Sequence, residues 1–199
     1  MISPKRLFDF VYYQQERYPL ERMITSKTGS EWVSISTRDF IDQMNRASAG
    51  LLHLGVKPGE RVALITHANR HEWDIMDHAI MQIGAVDVPI YPTMTPDDCE
   101  YILNHAEARY CFVSNEELFQ KIKSIQPKCA SLIEVFTFEE VSGAPRWTDL
   151  FAKGNAELSA EVERLSTEVK EDDLATIIYT SGTTGKPKGV ISSHLQNIK

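Results

Sequence analysis

The chain has 199 residues, with 28 acidic and 21 basic side chains and a formal net charge of −7 at pH 7. Because the basic residues are scattered among acids, the charge pattern argues against a nucleic-acid-binding protein, which needs clustered Lys and Arg to contact backbone phosphates. Hydrophobic residues make up 42% and charged residues 25% of the sequence, which is typical of soluble globular domains and argues against a disordered chain.

Cysteine usage and the distribution of apolar residues indicate the compartment. Three cysteines, Cys99, Cys111 and Cys129, form no C-x-x-C pair or other metal-ligand spacing. This pattern favours a reducing compartment, so we expect a cytoplasmic protein. The basic start of the chain has no apolar segment behind it, which predicts no secretion signal. The longest apolar runs are far shorter than the ~20 residues of a membrane-spanning helix, which leaves peripheral membrane contact open.

The first third of the chain is expected to form a hairpin, a helix and a strand. Residues 21–35 surround the turn-forming sequence Thr28-Gly29-Ser30, which predicts a β-hairpin. An amphipathic helix is expected from Thr37, as its N-cap, to the residue before Gly55. The continuous apolar run at 62–65 is typical of a strand that is covered on both faces.

The same alternation continues through the middle of the chain. Asn69 is expected to cap a helix that ends at Gly84, and Thr95 with Pro96 is expected to begin another. Asn115 is expected to begin the next helix. Strands are predicted between these helices, at residues 86–90, 109–113 and 132–138.

Alternation of strands and helices predicts the fold class. A short helix is expected at 145–151, an acidic surface helix and connector at about 153–173, and an apolar strand at 174–179. The sequence therefore predicts an α/β fold in which helices flank a doubly wound, mainly parallel sheet, with a small N-terminal β-hairpin.

Four polar side chains have the spacing of a metal-binding helix face, namely His67, His71, Asp74 and His78. Because the expected cap at Asn69 leaves His67 in the preceding loop, they do not share one helix. We interpret them as solvated or hydrogen-bonded side chains and predict no metal site there.

The most informative segment is a loop that follows the strand at 174–179. Its sequence is Tyr179-Thr180-Ser181-Gly182-Thr183-Thr184-Gly185-Lys186-Pro187-Lys188-Gly189-Val190, with three glycines, four hydroxyl side chains and two lysines. Glycines let backbone N–H groups converge on an anion, hydroxyls add donors and lysines supply countercharge. Ligands bind open α/β sheets at the carboxyl ends of strands. The segment therefore predicts a phosphate-binding loop.

A Walker A loop is disfavoured by the spacing and by the proline. Walker A has four residues between its glycines and a Ser or Thr after the lysine. Here only two residues separate Gly182 from Gly185, and Lys186 is followed by Pro187, which has no N–H to donate.

The run from Thr180 to Gly189 resembles the phosphate-binding signature of the superfamily of AMP-forming acyl-CoA synthetases, luciferases and peptide-synthetase adenylation domains. Every position of that signature matches, and Lys186 occupies its variable place. The resemblance implies that the loop binds the β- and γ-phosphates of ATP, with Lys188 as the cation nearest to the leaving pyrophosphate. It implies no other catalytic residue in this chain. The implied nucleotide-binding residues are Thr180, Ser181, Gly182, Thr183, Thr184, Gly185, Lys188 and Gly189.

Three further segments, at 69–73, 84–91 and 101–107, resemble long-chain fatty acyl-CoA synthetases. The resemblance implies a parent enzyme that uses ATP, Mg²⁺ and CoA to convert a fatty acid, through an acyl-adenylate, into an acyl-CoA thioester. Such enzymes are much longer, so we interpret residues 1–199 as a subdomain of a larger N-terminal domain. Residues 174–199 then comprise the strand, the loop and a truncated following segment. The resemblance implies a C-terminal domain that we expect to lie outside this chain, and we expect the isolated chain to be inactive.

Two other interpretations stay open. One is an adenylation domain or a CoA ligase for an aryl or short-chain acid. The other is a non-catalytic phosphate-binding or interaction module.

Overall fold

The computed structural model describes residues 3–28, 30–180 and 185–199. Its strands are β1 (Ile24–Thr28), β2 (Glu31–Ile35), β3 (Arg61–Ile65), β4 (Val86–Pro89), β5 (Tyr110–Val113), β6 (Glu134–Thr137), β7 (Leu174–Thr180) and β8 (Lys188–Ser193). Its α-helices are α1 (Asp9–Arg17), α2 (Thr37–His53), α3 (His71–Gln82), α4 (Pro96–His105), α5 (Glu116–Ile125), α6 (Ala156–Glu168) and α7 (His194–Ile198). Short 3-10 helices lie at Gln126–Lys128 and Trp147–Ala152.

Six strands form one sheet in the order β6-β5-β3-β4-β7-β8. All neighbouring pairs are parallel except β7 and β8, which are antiparallel. Strands β1 and β2 form a separate antiparallel hairpin. The predicted α/β class, mainly parallel sheet and N-terminal hairpin are therefore confirmed.

Helices cover both faces of the sheet because successive residues of each strand point to opposite sides. In β3, Val62 and Leu64 belong to an apolar cluster with residues of α2, α3 and α6. Ala63 and Ile65 belong to a second cluster, with residues of α4 and α5. All four side chains are buried, which explains the continuous apolar run in the sequence.

The N-cap of α2 lies one residue before the predicted cap. Ser36, not Thr37, is the N-cap, and its Oγ accepts a hydrogen bond from the Asp39 amide at 3.0 Å. Thr37 is buried, and its Oγ1 accepts from the Leu20 amide instead. Gly55 follows the helix with φ of +80°, a left-handed conformation that glycine adopts without steric cost.

The predicted cap at Asn69 is wrong. Helix α3 begins at His71, and Arg70 holds the N-cap position without a capping side-chain bond. The Arg70 guanidinium instead lies 2.8 Å from a Glu72 carboxylate oxygen and 2.9 Å from one of Glu139. The capping predicted at Thr95 and at Asn115 is confirmed, since each side chain accepts a hydrogen bond from the amide three residues on.

A pair of carboxyl groups lies between α3 and β4. Asp87 is 1% exposed, and 15% of the Asp77 side chain is exposed. Burial raises the pKa of Asp77 to about 7 and raises the pKa of Asp87 well above its usual value. A proton shared between the two groups avoids placing two negative charges side by side. Within the described part of the chain, Asp87 Oδ1 and the facing Thr176 Oγ1 have no hydrogen-bond partner.

Candidate functional site

The site begins where β7 ends. Strands β3, β4 and β7 run parallel, so their carboxyl ends at Ile65, Pro89 and Thr180 share one edge of the sheet. Thr180 is exposed at this edge. The phosphate-binding segment predicted from the sequence thus starts where open α/β sheets bind ligands.

The structure describes four of the eight implied site residues. Thr180, Gly185, Lys188 and Gly189 are described, and all four are exposed. Lys188 is paired with Thr180, and Gly189 with Tyr179, in the ladder between β7 and β8. Among the described residues no carboxylate forms a salt bridge with Lys188. Ser181, Gly182, Thr183 and Thr184 lie outside the described residues.

Sequence reasoning missed the strand β8 that follows the loop. The β-branched pair Val190-Ile191 is a signal for a strand, but glycine and lysine residues just before it obscured the pattern. Helix α7 follows β8, with Ser193 as its N-cap. His194 is buried against Phe8, and burial lowers its pKa to about 4. It therefore packs as a neutral side chain.

Gly189 lies against the ring of Tyr179. A Cβ at position 189 would lie 2.9 Å from Ile177 Cγ2 and 3.1 Å from Tyr179 Cζ. Such distances are too short for a side chain without movement of the neighbours. Packing of the strand pair is therefore one reason for glycine at this position of the signature.

Tyr179 is the last buried residue before the loop, with 1% of its surface exposed. Its hydroxyl is hydrogen-bonded to Nδ1 of His105 at 2.7 Å. Burial raises the pKa of this phenol, so it stays neutral at physiological pH. The ring and its hydrogen bond fix the residue that precedes Thr180.

An apolar cavity of about 210 Å³ opens beside β7 at the same edge of the sheet. Ile178 of β7 lines it, two residues before Thr180. The other lining residues come from the ends of β3 and β4, from the segments that follow these strands and from α3, and they are Leu64, Thr66, Trp73, Pro89, Ile90, Tyr91 and Pro92. A cavity with this lining suits an apolar group rather than a charged one.

The histidines with metal-like spacing do not converge. His71 Nδ1 is hydrogen-bonded to Ser26 Oγ at 2.6 Å, and His78 Nδ1 lies 2.8 Å from the carbonyl oxygen of Asp74. His67 lies before α3, with Nε2 3.4 Å from a Glu117 carboxylate oxygen. Within residues 3–28, 30–180 and 185–199, no group of three or more His, Cys, Asp or Glu residues could hold a metal ion. None of these histidines is therefore assigned to a metal ion. No described helix is long and apolar enough to cross a membrane.

Comparison with known proteins agrees with the family resemblance seen in the sequence. The family model described as "AMP-binding enzyme" matches residues 11–198. The long-chain-fatty-acid–CoA ligase FadD15 of Mycobacterium bovis is 34% identical over 160 residues, which cover 79% of this chain and 26% of the relative. The long-chain-fatty-acid–CoA ligase ACSBG2 of Rattus norvegicus is 30% identical over 198 residues, which cover 96% of this chain and 30% of the relative. The chain thus spans less than a third of the length of these relatives.

Among solved structures, the anthranilate CoA ligase AuaEII in complex with anthranoyl-AMP superposes with a TM-score of 0.78 and 25% identity. The match covers 97% of this chain and 36% of the ligase.

Proposed function

Because the chain belongs to the AMP-binding enzyme family, we propose that the protein in its full natural length is an AMP-forming acid–thiol ligase. It joins a carboxylic acid to CoA and converts ATP into AMP and pyrophosphate. The observation that carries this proposal is the complete signature from Thr180 to Gly189 at the carboxyl end of β7. Lys186 and Lys188 in the described part of the loop are exposed, so basic side chains are available to a triphosphate.

The reaction takes place in two steps. A carboxylate oxygen of the acid attacks the α-phosphorus of ATP, and the bond to the bridging oxygen of pyrophosphate breaks, which gives the acyl-adenylate. The sulfur of CoA then attacks the acyl carbon, AMP leaves, and the thiol proton is released to solvent. The first step makes a good leaving group of a carboxylate oxygen that is otherwise a poor one.

The role proposed for this chain concerns the departing pyrophosphate. Negative charge accumulates on the β- and γ-phosphates as the bond breaks, so donors and cations fixed around them stabilise the transition state. Lys188 supplies the cation, since its side chain is exposed on β8 directly opposite Thr180. Hydroxyls and backbone amides of residues 180–185, together with Gly189, supply the donors.

A long-chain fatty acid is the proposed acyl substrate. The support is the names of the two relatives, both long-chain-fatty-acid–CoA ligases, and the resemblance of residues 69–73, 84–91 and 101–107 to such enzymes. An aryl acid is the alternative, because the anthranilate CoA ligase has the same fold over nearly the whole chain. The fold alone therefore does not discriminate between the two substrates.

We also propose a cytoplasmic location and, for the full-length enzyme, Mg²⁺ as a cofactor. The location is inferred from three buried cysteines in the thiol form. The magnesium proposal follows from the resemblance of residues 180–189 to the AMP-forming superfamily.

A substrate panel on the full-length protein tests these proposals. ATP-dependent AMP formation is measured with CoA and with palmitate, acetate or anthranilate in turn. We expect the highest kcat/KM with palmitate. The highest kcat/KM with anthranilate would show that the substrate is an aryl acid and not a fatty acid. Absence of acid-dependent AMP formation would favour the non-catalytic module.

A further inference from the structure

Helix α4 carries two aromatic side chains on the face that meets the phosphate-binding segment. Tyr101 and His105 are four residues apart, which places them one above the other on the helix. Their rings are stacked, with centroids 5.5 Å apart and an interplanar angle of 29°. His105 contacts Tyr179 near the end of β7, and Tyr101 contacts Lys186, two residues before β8.

His105 contacts Tyr179, the residue before Thr180 at the end of β7. Its Nδ1 is hydrogen-bonded to the Tyr179 hydroxyl at 2.7 Å, and the two rings pack edge to face with centroids 5.7 Å apart. Tyr179 is buried, and Gly189 packs on its ring from the opposite strand. The backbone that enters the segment at Thr180 is therefore fixed from two sides.

Tyr101 contacts the residue near the end of the segment. The Lys186 ammonium lies 4.8 Å from the centroid of the Tyr101 ring, within the range of a cation–π interaction. The next residue, Pro187, is buried and has a restricted φ. Lys186 occupies the variable place of the signature, so this contact gives the lysine a role that the signature itself does not specify.

We propose that Tyr101 and His105 of α4 are positioning residues that hold the two ends of the phosphate-binding segment through Lys186 and Tyr179. The inference rests on the proposed function of that segment and adds specific positioning residues to it. A segment whose ends are free populates its binding conformation for a smaller fraction of the time, and the apparent dissociation constant rises in inverse proportion to that fraction. Loss of these contacts therefore weakens ATP binding and leaves the chemical step at saturating ATP unchanged.

Steady-state kinetics of the full-length protein tests the Tyr101–Lys186 contact. We expect Tyr101→Leu and Lys186→Met each to raise the KM for ATP by about two- to fivefold, with kcat and the KM for the acid unchanged. Because both variants remove the same contact, the double variant should resemble either single variant. Tyr101→Phe keeps the aromatic ring and should restore the wild-type KM for ATP.

Lys123 provides a matched control. Its ammonium lies 5.8 Å from the centroid of the Phe119 ring on α5, so Lys123→Met removes a cation–aromatic contact elsewhere on the surface. This variant should leave the KM for ATP unchanged. The proposal is overturned by an unchanged KM in Lys186→Met, by additive effects in the double variant, or by an equal effect of Lys123→Met.

Amide hydrogen exchange of the same full-length variants gives a readout that does not depend on activity. Tyr101→Leu should accelerate exchange of the Gly185 and Lys186 amides, whereas Lys123→Met should not. Unchanged exchange would overturn the positioning role even in an active ligase. If Tyr101→Leu accelerates exchange but the wild-type protein forms no AMP with any acid, the proposed function is refuted and the positioning role of the Tyr101–Lys186 contact still holds.

Discussion

Gly189 contacts the ring of Tyr179 so closely that a Cβ at position 189 would lie 3.1 Å from Cζ. We predict that Gly189→Ala destabilises the protein by about 1–3 kcal/mol, because overpacking forces the ring or the strand to move. Displacement of Tyr179 should also lower ATP-dependent activity. Chemical denaturation measures the free energy of unfolding, and Ser192→Ala on the same strand is the control. Equal stability of the two variants would show that the ring moves away without cost.

Lys188 is the residue on which the proposed chemistry depends most. Lys188→Ala in the full-length protein should raise the barrier of adenylate formation by about 2.7–4 kcal/mol, as does loss of one donor in oxyanion-type sites. Acid-dependent exchange of pyrophosphate into ATP measures this half-reaction. The control is Lys170→Ala, which removes an exposed lysine just before β7. A rate within twofold of the wild type would remove Lys188 from the site.

The 199-residue chain should release no pyrophosphate in the presence of ATP and a fatty acid. The chain spans about a quarter to a third of the length of the relatives it matches, so most of such an enzyme lies outside it. A sensitive pyrophosphate assay with the full-length protein as positive control decides the question. Fatty-acid-dependent release by the short chain would mean that the loop and its surroundings suffice for adenylation.

The Asp77–Asp87 pair predicts a specific pH dependence of stability. The folded-state pKa of Asp77 is about 7, above the usual value near 4, so the folded protein binds more protons than the unfolded one between these pH values. The contribution of the pair to stability is therefore fully present below about pH 4 and is lost as the pH rises through 7. Asp77→Asn removes this loss because an amide stays neutral and donates a hydrogen bond to Asp87.

Relative to the wild type, Asp77→Asn should therefore gain stability as the pH rises from 4 to 8, by on the order of 1 to 2 kcal/mol. The comparison has to be made as a difference, because His78 and His194 act in the opposite direction. Burial lowers the pKa of each to about 4, so their contributions are lost as the pH falls from 6.5. Denaturation of both proteins across this pH range measures the difference, with exposed Asp172→Asn as control. A pH-independent difference would contradict the shared proton.

Much of the fold could be predicted because its signals are local. Apolar runs that are bounded by turn residues predict β3 to β7. The bounds of the predicted strands differ from the observed ones by one or two residues. The caps at Thr95 and Asn115 are predictable because Thr and Asn side chains are short enough to accept a hydrogen bond from the amide three residues on, as both do here. Asn69 has the same side-chain chemistry, but the ion pairs of Arg70 set the start of α3 one residue later.

Two elements could not be predicted because their stability comes from distant contacts. Helix α1 is mostly polar. Its contacts with the rest of the fold include the buried Val11 and a hydrogen bond from the Tyr12 hydroxyl to Asn45 on α2. Among the described strands, β8 pairs with β7 alone, and its Val190 and Ile191 are exposed. The same limit applies to the candidate site. The signature identified the loop residues, but the contacts of Tyr101 and His105 required the folded chain.

The pairing of Thr180 with Lys188 has a consequence for how a ligand is accommodated. Both residues are fixed in the ladder between β7 and β8, so the distance between the two ends of the intervening segment is set when the sheet forms. The entropy of closing this loop is therefore lost during folding and not on ligand binding. The paired strands on either side therefore act as a rigid frame for a ligand.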